Sequence, residues 1–379
     1  MQWRVPGAIR ALLFGVICVA QICAFNPSGM AAGQGAPRVL FINPAPPEDQ
    51  YWTLVTRMMQ AAAQDLGVEL EVQHAFHSGD YTLKYATLAA ERAVKPHYII
   101  FRNVDEIGEE VFKVTGAAGI NTITIDAPFQ EKELAPLGGP RKTYPRWLGQ
   151  VVPNSLGASD QMTQVLIGEV MRRGFKGLID IVAMTGPEDD IGSQVRLFGL
   201  KRGLKDHRNA RLKHAFPSAW DSKVADREAF KAFRYALNAP VWWGADDNIA
   251  EGMVNVLRNT HRKLGQDTFV GAFNWTQPML TAVVQNQVHY LAGGSFVQGA
   301  AALILAHDHF RGKDFAEVGL NYTMDLGILY RDNLKSTGRI MISDAWDRID
   351  FRRFSRATNP ALTQYDFTVN SFLRAVLGQ

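Results

Sequence analysis

The chain has 379 residues, 47% of them hydrophobic and 20% charged, with a formal net charge of +3. That length exceeds what a single hydrophobic core usually serves, so two lobes are expected. The near-neutral balance excludes the basic footprint of a nucleic-acid binder or of a protein held electrostatically on anionic lipid.

The N-terminus reads as a targeting segment. Arg4 and Arg10 give a basic start, an apolar run follows from Ala11 to Phe25, and small residues at Gly29, Ala31 and Ala32 offer a cleavage site. This order is that of a secretory signal peptide, assigned to residues 1–32, and it places the product in the periplasm. The apolar run is shorter than the ~20 residues of a spanning helix, which argues against the alternative of a retained anchor and against membrane insertion after cleavage. Neither Cys18 nor Cys23 follows a Leu-x-Gly/Ala triplet, so lipid attachment is not expected. Both cysteines of the chain lie in this segment, and the exported product therefore has no disulfide and no thiol nucleophile.

Beyond the leader, short apolar runs alternate with amphipathic stretches. Strands are expected at 38–42, 68–72, 97–101 and 122–125, with helices at 51–66, 80–94 and 106–118 between them. From Ala127 to Gln150 the pattern pauses in a stretch rich in Pro, Gly and charge, read as an interdomain crossing with an inserted loop. Alternation resumes with helices at 155–173, 193–205, 226–237, 249–264 and 276–286, separated by strands at 177–182, 212–215, 240–243 and 268–273. His289 to Ala292 returns the chain to the first lobe, where a helix over 297–310 packs. Strands alternating with helices of this length imply βαβ units and parallel sheets covered on both faces. The fold class is α/β, with two doubly wound, Rossmann-like lobes joined by a multi-strand hinge and a ligand cleft between them. The expected limits are 37–126 plus about 293–325 for the first lobe, 127–150 for the crossing, 151–292 plus about 326–345 for the second, and 346–379 for a C-terminal extension.

Ligands of doubly wound sheets sit beyond the C-terminal ends of the strands. Those positions here carry Asp49-Gln50-Tyr51-Trp52, Arg102-Asn103, Asp126, Trp220-Asp221, Asp246-Asp247-Asn248 and Phe273-Asn274-Trp275, with Arg196 opening a helix. Flat aromatic faces and a ring of carboxylates, amides and guanidinium groups are what a neutral polyol needs. Singly, each has a plainer explanation, since an Asp after a strand is commonly a helix cap and an aromatic at a strand end is commonly core.

The order of elements from about Arg38 to Gly312 resembles the type I periplasmic binding proteins, the ribose-binding, sugar- and autoinducer-sensing superfamily. Trp243-Gly244-Ala245-Asp246-Asp247-Asn248-Ile249-Ala250-Glu251-Gly252 is similar to its A-x-N-D-x-x-A-x-G segment. Val270-Gly271-Ala272-Phe273-Asn274 resembles its V-G-F-D strand end, Asp49-Gln50-Tyr51-Trp52 its aromatic N-x-F/Y-F/W loop, Ile123-Thr124-Ile125-Asp126 its strand leading to the hinge, and Arg196-Leu197-Phe198-Gly199 its R-x-x-G. The resemblance implies stacking by Tyr51 and Trp52, with polar or second-lobe contacts from Arg102, Asp126, Arg196, Trp220, Asp246, Phe273 and Asn274. Departures are visible. Ala127 stands where sugar binders often have Arg, and Gly293-Gly294 where a Gln or Arg often reaches the ligand, so no particular sugar carries over.

The expected function is therefore a solute-binding protein that closes on a small sugar-like ligand and presents it to a membrane ABC permease. The alternative partner is a periplasmic sensor domain of a kinase or cyclase, and the rival of another class is a secreted carbohydrate-active enzyme. No cofactor and no catalysis are expected. The histidine pairs His74/His77 and His307/His309 lack the accompanying ligands of a zinc site, and the leader occupies the place of a regulator's DNA-binding helices. The extension is read as a wrap over the lobes, with docking to a membrane partner as the sharper alternative.

Overall fold

The computed structural model describes residues 35–378; the signal-peptide reading of 1–32 lies outside the described residues. The first nine elements alternate as β1 (Arg38–Asn43), α1 (Gln50–Leu66), β2 (Glu69–His74), α2 (Gly79–Glu91), β3 (Tyr98–Phe101), α3 (Gly108–Ala117), β4 (Asn121–Ile125), α4 (Glu131–Leu137) and β5 (Trp147–Pro153). They are followed by α5 (Ser155–Arg172), β6 (Ile179–Thr185), α6 (Ile191–Gly203), β7 (Ala210–Pro217), α7 (Ser222–Tyr235), β8 (Val241–Gly244), α8 (Asp247–Arg258), β9 (Phe269–Phe273), α9 (Gln277–Val284) and β10 (Tyr290–Gly293). The chain ends with α10 (Gln298–Phe310), β11 (Asn321–Met324), β12 (Gly327–Leu329), α11 (Leu334–Ser343) and α12 (Val369–Val376). Among the described residues no helix is long and apolar enough to cross a membrane.

Two six-stranded sheets result, ordered β2-β1-β3-β4-β5-β11 and β7-β6-β8-β9-β10-β12. All pairings are parallel except that of β12 with β10. Parallel strands are buried on both faces, and β1 shows why its sequence is continuously apolar. Val39 and Phe41 face α1 and α10, whereas Leu40 and Ile42 face the cluster of α2 and α3, as the two-residue period of a strand requires.

The segment 127–150 corrects the sequence reading. It is not a crossing: it carries α4 and most of β5, which pairs with β4 inside the first sheet. Trp147 is fully buried there against Phe112 and Phe129. The period was hidden because Pro136 sits inside the short α4 and glycines and prolines fill the gap to β5, with a register irregularity between Thr122 and Ile123.

The lobes are joined where the chain changes sheets: between β5 and α5, between β10 and α10, and between β11 and β12. These crossings lie side by side. The Asn154 N–H donates to Met324 O (2.7 Å), and its side chain donates to Asp325 (2.8 Å). Gly294 has φ 97°, and a Cβ there would lie 2.7 Å from Val369 of α12, so only glycine fits the turn into α10. The tail is packed onto the lobes. Phe351, Phe354 and Phe372 are buried, the last two stacked at 4.4 Å, and buried Asp308 of α10 accepts from Arg356 N (2.6 Å), Tyr365 Oη (2.8 Å) and Ser355 Oγ.

Candidate functional site

The residues that follow successive strands meet in one cavity of about 70 Å3 between the sheets. From the first lobe come Asp49, Tyr51 and Trp52 after β1, His77 after β2, Arg102 after β3 and Asp126 after β4. The second lobe contributes Arg196 of α6, Trp220 after β7, Asp246, Asp247 and Asn248 after β8, and Asn274 after β9. Four of these non-glycine residues hold positive φ: His77 (58°), Asp126 (75°), Trp220 (55°) and Asn274 (72°). Such backbone is costly and persists where surrounding structure enforces it, commonly at functional sites.

The local folding logic is capping. Asp49, Asp190 and Asp246 each precede a helix and accept from the Trp52, Ser193 and Ile249 N–H groups at 2.8, 2.9 and 2.7 Å. The positive ends of α1, α6 and α8 therefore help hold carboxylates at the cleft.

The first-lobe wall is a hydrogen-bonded chain. Tyr51 Oη donates to Ser295 Oγ (2.9 Å) and accepts from Gln298 Nε2 (2.9 Å), which also donates to Asp126 Oδ1 (3.1 Å). Burial pushes the Tyr51 phenol well above its usual range, and Asp126 adds to the shift, so it remains a neutral hydroxyl. Arg102 Nε donates to Asp126 Oδ2 (2.8 Å), and its Nη2 crosses the cleft to Asp190 Oδ2 (2.7 Å). Burial works against the Arg102 charge, but Asp190 and Asp126 outweigh it and hold the guanidinium protonated. Burial likewise opposes the Asp190 charge, and Arg102 leads the groups that bring its carboxyl below the usual range. A second contact between lobes runs from Asn248 Nδ2 to Asp49 Oδ2 (3.4 Å). The lobes are thus latched in a closed arrangement.

On the opposite wall the Arg196 guanidinium lies over Phe273 at 4.7 Å and near Trp220 at 5.7 Å, and donates to Ala245 O (2.7 Å). Asp247 accepts from Asn274 Nδ2 (2.7 Å). Burial raises the Asp247 carboxyl to about 6, and burial followed by the Asp247 charge raises Asp246 further above its ordinary value. The arrangement offers acceptors, donors and two indole rings to a small polar molecule, with Trp52 and Tyr51 edge-on to each other at 5.3 Å.

Of the nine residues expected from the sequence, Tyr51, Trp52, Arg102, Asp126, Arg196, Trp220, Asp246 and Asn274 line this cavity. Phe273 does not. It is fully buried and packs beneath Arg196, while the next residue, Asn274, lines the cavity. Asp49, Asp247 and Asn248, named at the strand ends but not among the nine, also line it, as does His77, while Asp190 and Gln298 beside it had not been named. Most follow strands and share the positional signal of their neighbours. Gln298 had no local signal, being one turn beyond Gly293-Gly294; its amide holds Tyr51 and Asp126 from behind the wall. Three of the four paired histidines have protein partners: His74 Nδ1 lies 2.8 Å from Ala45 O, His309 Nδ1 2.7 Å from Tyr98 Oη, and His307 Nδ1 3.0 Å from Asp308, whereas His77 lines the cavity.

Comparison with known proteins adds the following. Residues 39–314 match the family described as periplasmic binding protein domain. A periplasmic sugar-binding protein from Pseudomonas fluorescens superposes with a TM-score of 0.78 at 24% identity, over 90% of this chain and 99% of that one. A glucose-galactose binding protein from Geobacillus stearothermophilus gives 0.65 at 19% identity, over 80% and 100%. An ABC transporter periplasmic solute binding protein from Actinobacillus succinogenes, with bound D-allose, gives 0.68 at 16%, over 79% and 99%. No curated protein matches by sequence. At these identities the likeness concerns the fold.

Proposed function

The chain belongs to the periplasmic binding protein family, and from that premise we propose that it captures one small polyhydroxylated ligand, a sugar or sugar-like molecule, by hinge closure and presents it unchanged to a membrane ABC importer. The observation that carries this reading is the cavity lined from both lobes and bridged by the Arg102–Asp190 pair. Export to the periplasm by the N-terminal leader completes the reading.

Closure follows from differential affinity. Trp52 and the Tyr51–Asp126 wall belong to one lobe, whereas Arg196, Trp220 and Asn274 belong to the other, so only the closed form offers a ligand both sets of contacts. The ligand-filled, closed surface is then what the importer distinguishes from the open one.

A thermal-shift screen of the mature protein against monosaccharides, sugar alcohols, furanoses and nucleosides tests the proposal. A ligand at a hundredfold excess over Kd stabilises by about 2.7 kcal/mol, which raises the melting point visibly. A panel without any shift refutes the sugar assignment. In the host cell, deletion of the chain abolishes uptake of the identified ligand. Unchanged uptake with loss of a ligand-dependent response would identify a sensor partner instead.

A further inference from the structure

The cavity carries more negative charge than a neutral polyol requires. Four carboxylates line it (Asp49, Asp126, Asp246 and Asp247) against two guanidinium groups. Arg102 is already committed, since Asp126 and Asp190 hold it from two sides. That leaves Arg196 facing Asp49, Asp246 and Asp247. Arg196 forms no ion pair within 4.0 Å among the described residues; it spends Nη1 on Ala245 O and lies flat on Phe273.

The unmatched carboxylates come from both lobes, and two of them are 6% exposed. Asp246 uses Oδ1 on the Ile249 N–H, while Oδ2 takes no hydrogen bond from any described residue and adjoins the cavity. That oxygen is left to accept from a ligand donor that enters the cavity. A wider space of about 400 Å3 adjoins it at His77, Arg102 and Trp220 and is lined by Asp105, Glu106, Glu133, Asp189 and Asp190, an excess of carboxylates that attracts cations to this side of the cavity. The carboxylates do not converge as metal ligands do, for no group of three that could hold a metal ion occurs among the described residues. The indole faces of Trp52 and Trp220 also suit a cation on a carbon frame.

We propose that the ligand is an amine-bearing polyol, such as an amino sugar or aminocyclitol, whose ammonium group is held among Asp49, Asp246 and Asp247. This inference rests on the receptor reading above and specifies its ligand. The ammonium donates to the free oxygen of Asp246 and to Asp247, relieving their mutual repulsion, while Arg196, Asn274 and Asp126 remain for hydroxyl groups.

The test is calorimetric titration at pH 7 with D-glucosamine, D-galactosamine and D-mannosamine, each beside its parent hexose and its N-acetyl derivative. A charge-assisted hydrogen bond in place of a neutral one predicts that an amine binds about tenfold or more tightly than both of its uncharged counterparts. In Asp247→Asn and Asp246→Asn, each shown to be folded by its melting curve, the ratio of amine to parent affinity falls towards one. A parent hexose that binds as tightly as its amine overturns the inference and leaves the receptor reading standing. Silence from charged and neutral sugars alike overturns both.

Discussion

The latch is the most direct point at which to perturb closure, and Asp190→Asn does so with little collateral change. Asparagine caps a helix about as well as aspartate, so the bond to the Ser193 N–H, 2.9 Å in the native protein, is retained and the change is one of charge. The Arg102 and Asp190 side chains are only 12% and 15% exposed. Opposite charges about 4 Å apart interact by about 4 kcal/mol at an effective dielectric constant of about 20, and by about 1 kcal/mol in bulk water. Arg102 keeps Asp126 whether the lobes are open or closed, and it regains water on opening. Closure should therefore lose about 2 kcal/mol, up to about thirtyfold in apparent ligand affinity. Small-angle scattering of the ligand-free protein should show a larger radius of gyration, and calorimetry should show the weakened binding. A variant with unchanged radius and an affinity within about twofold of the parent would refute the assignment of this pair as the latch.

Further expectations concern the walls and the packing. Trp52→Ala should weaken ligand binding by about 1–3 kcal/mol, measured by calorimetry; an unchanged affinity in a folded variant removes Trp52 from the site. Gly186 leaves no space for a side chain, since a Cβ there would lie 2.1 Å from the Trp220 ring. Gly186→Ala should displace that indole and reduce affinity while circular dichroism stays native. The Asp247 carboxyl is raised to about 6 by burial, so its contribution to stability is fully present below its unfolded pKa and is lost as pH rises through about 6. Asp247→Asn should remove up to about 3 kcal/mol of that dependence, seen as a flatter melting temperature between pH 4.5 and 7.5 than in the parent. Phe372→Ala should cost about 3–5 kcal/mol of stability, as expected for a buried phenylalanine, measured by denaturant unfolding.

Periodicity made most of the fold legible. The strand β1 and the helix α1 announce themselves because one has the apolar run Val39–Ile42 and the other ends at Gly67 with φ 63°. The same rule failed at β5, where Trp147 is buried by tertiary packing that no local pattern encodes. At the site, the strand-end rule located residues from six strand ends, yet it could not separate those facing the cavity from those beneath it. Phe273 and Asn274 are neighbours, yet the first is core and the second lines the cavity. The latch was illegible for a different reason. Asp190 and Arg102 are 88 residues apart, and their pairing depends on how the two lobes meet. Gln298 reaches Tyr51 across 247 residues of sequence, a contact that exists only because the chain returns to the first lobe.

The long-range contacts also explain how hinge and site are coupled. Ser295 and Gln298 lie immediately after the β10 crossing, and they hold the hydroxyl of Tyr51 and the carboxylate of Asp126. Asp126 in turn orients Arg102 towards Asp190. These hydrogen bonds tie the ligand wall and the latch to the start of α10, beside that crossing. The tail reinforces the same arrangement from the other side. Val369 fills the space above Gly294 and adjoins Gly327, at two of the crossings, while the Phe351 N–H donates to Asp65 at the far end of α1 (2.8 Å). Arg57 of α1 pairs with Asp344, the residue that closes α11, which itself packs on α9 of the second lobe. The helix that carries Tyr51 and Trp52 is therefore fixed along its length by a segment that contacts both lobes. Closure can bring the second lobe to these residues without displacing them, which is the condition for a preorganised wall to contribute affinity rather than consume it in ordering.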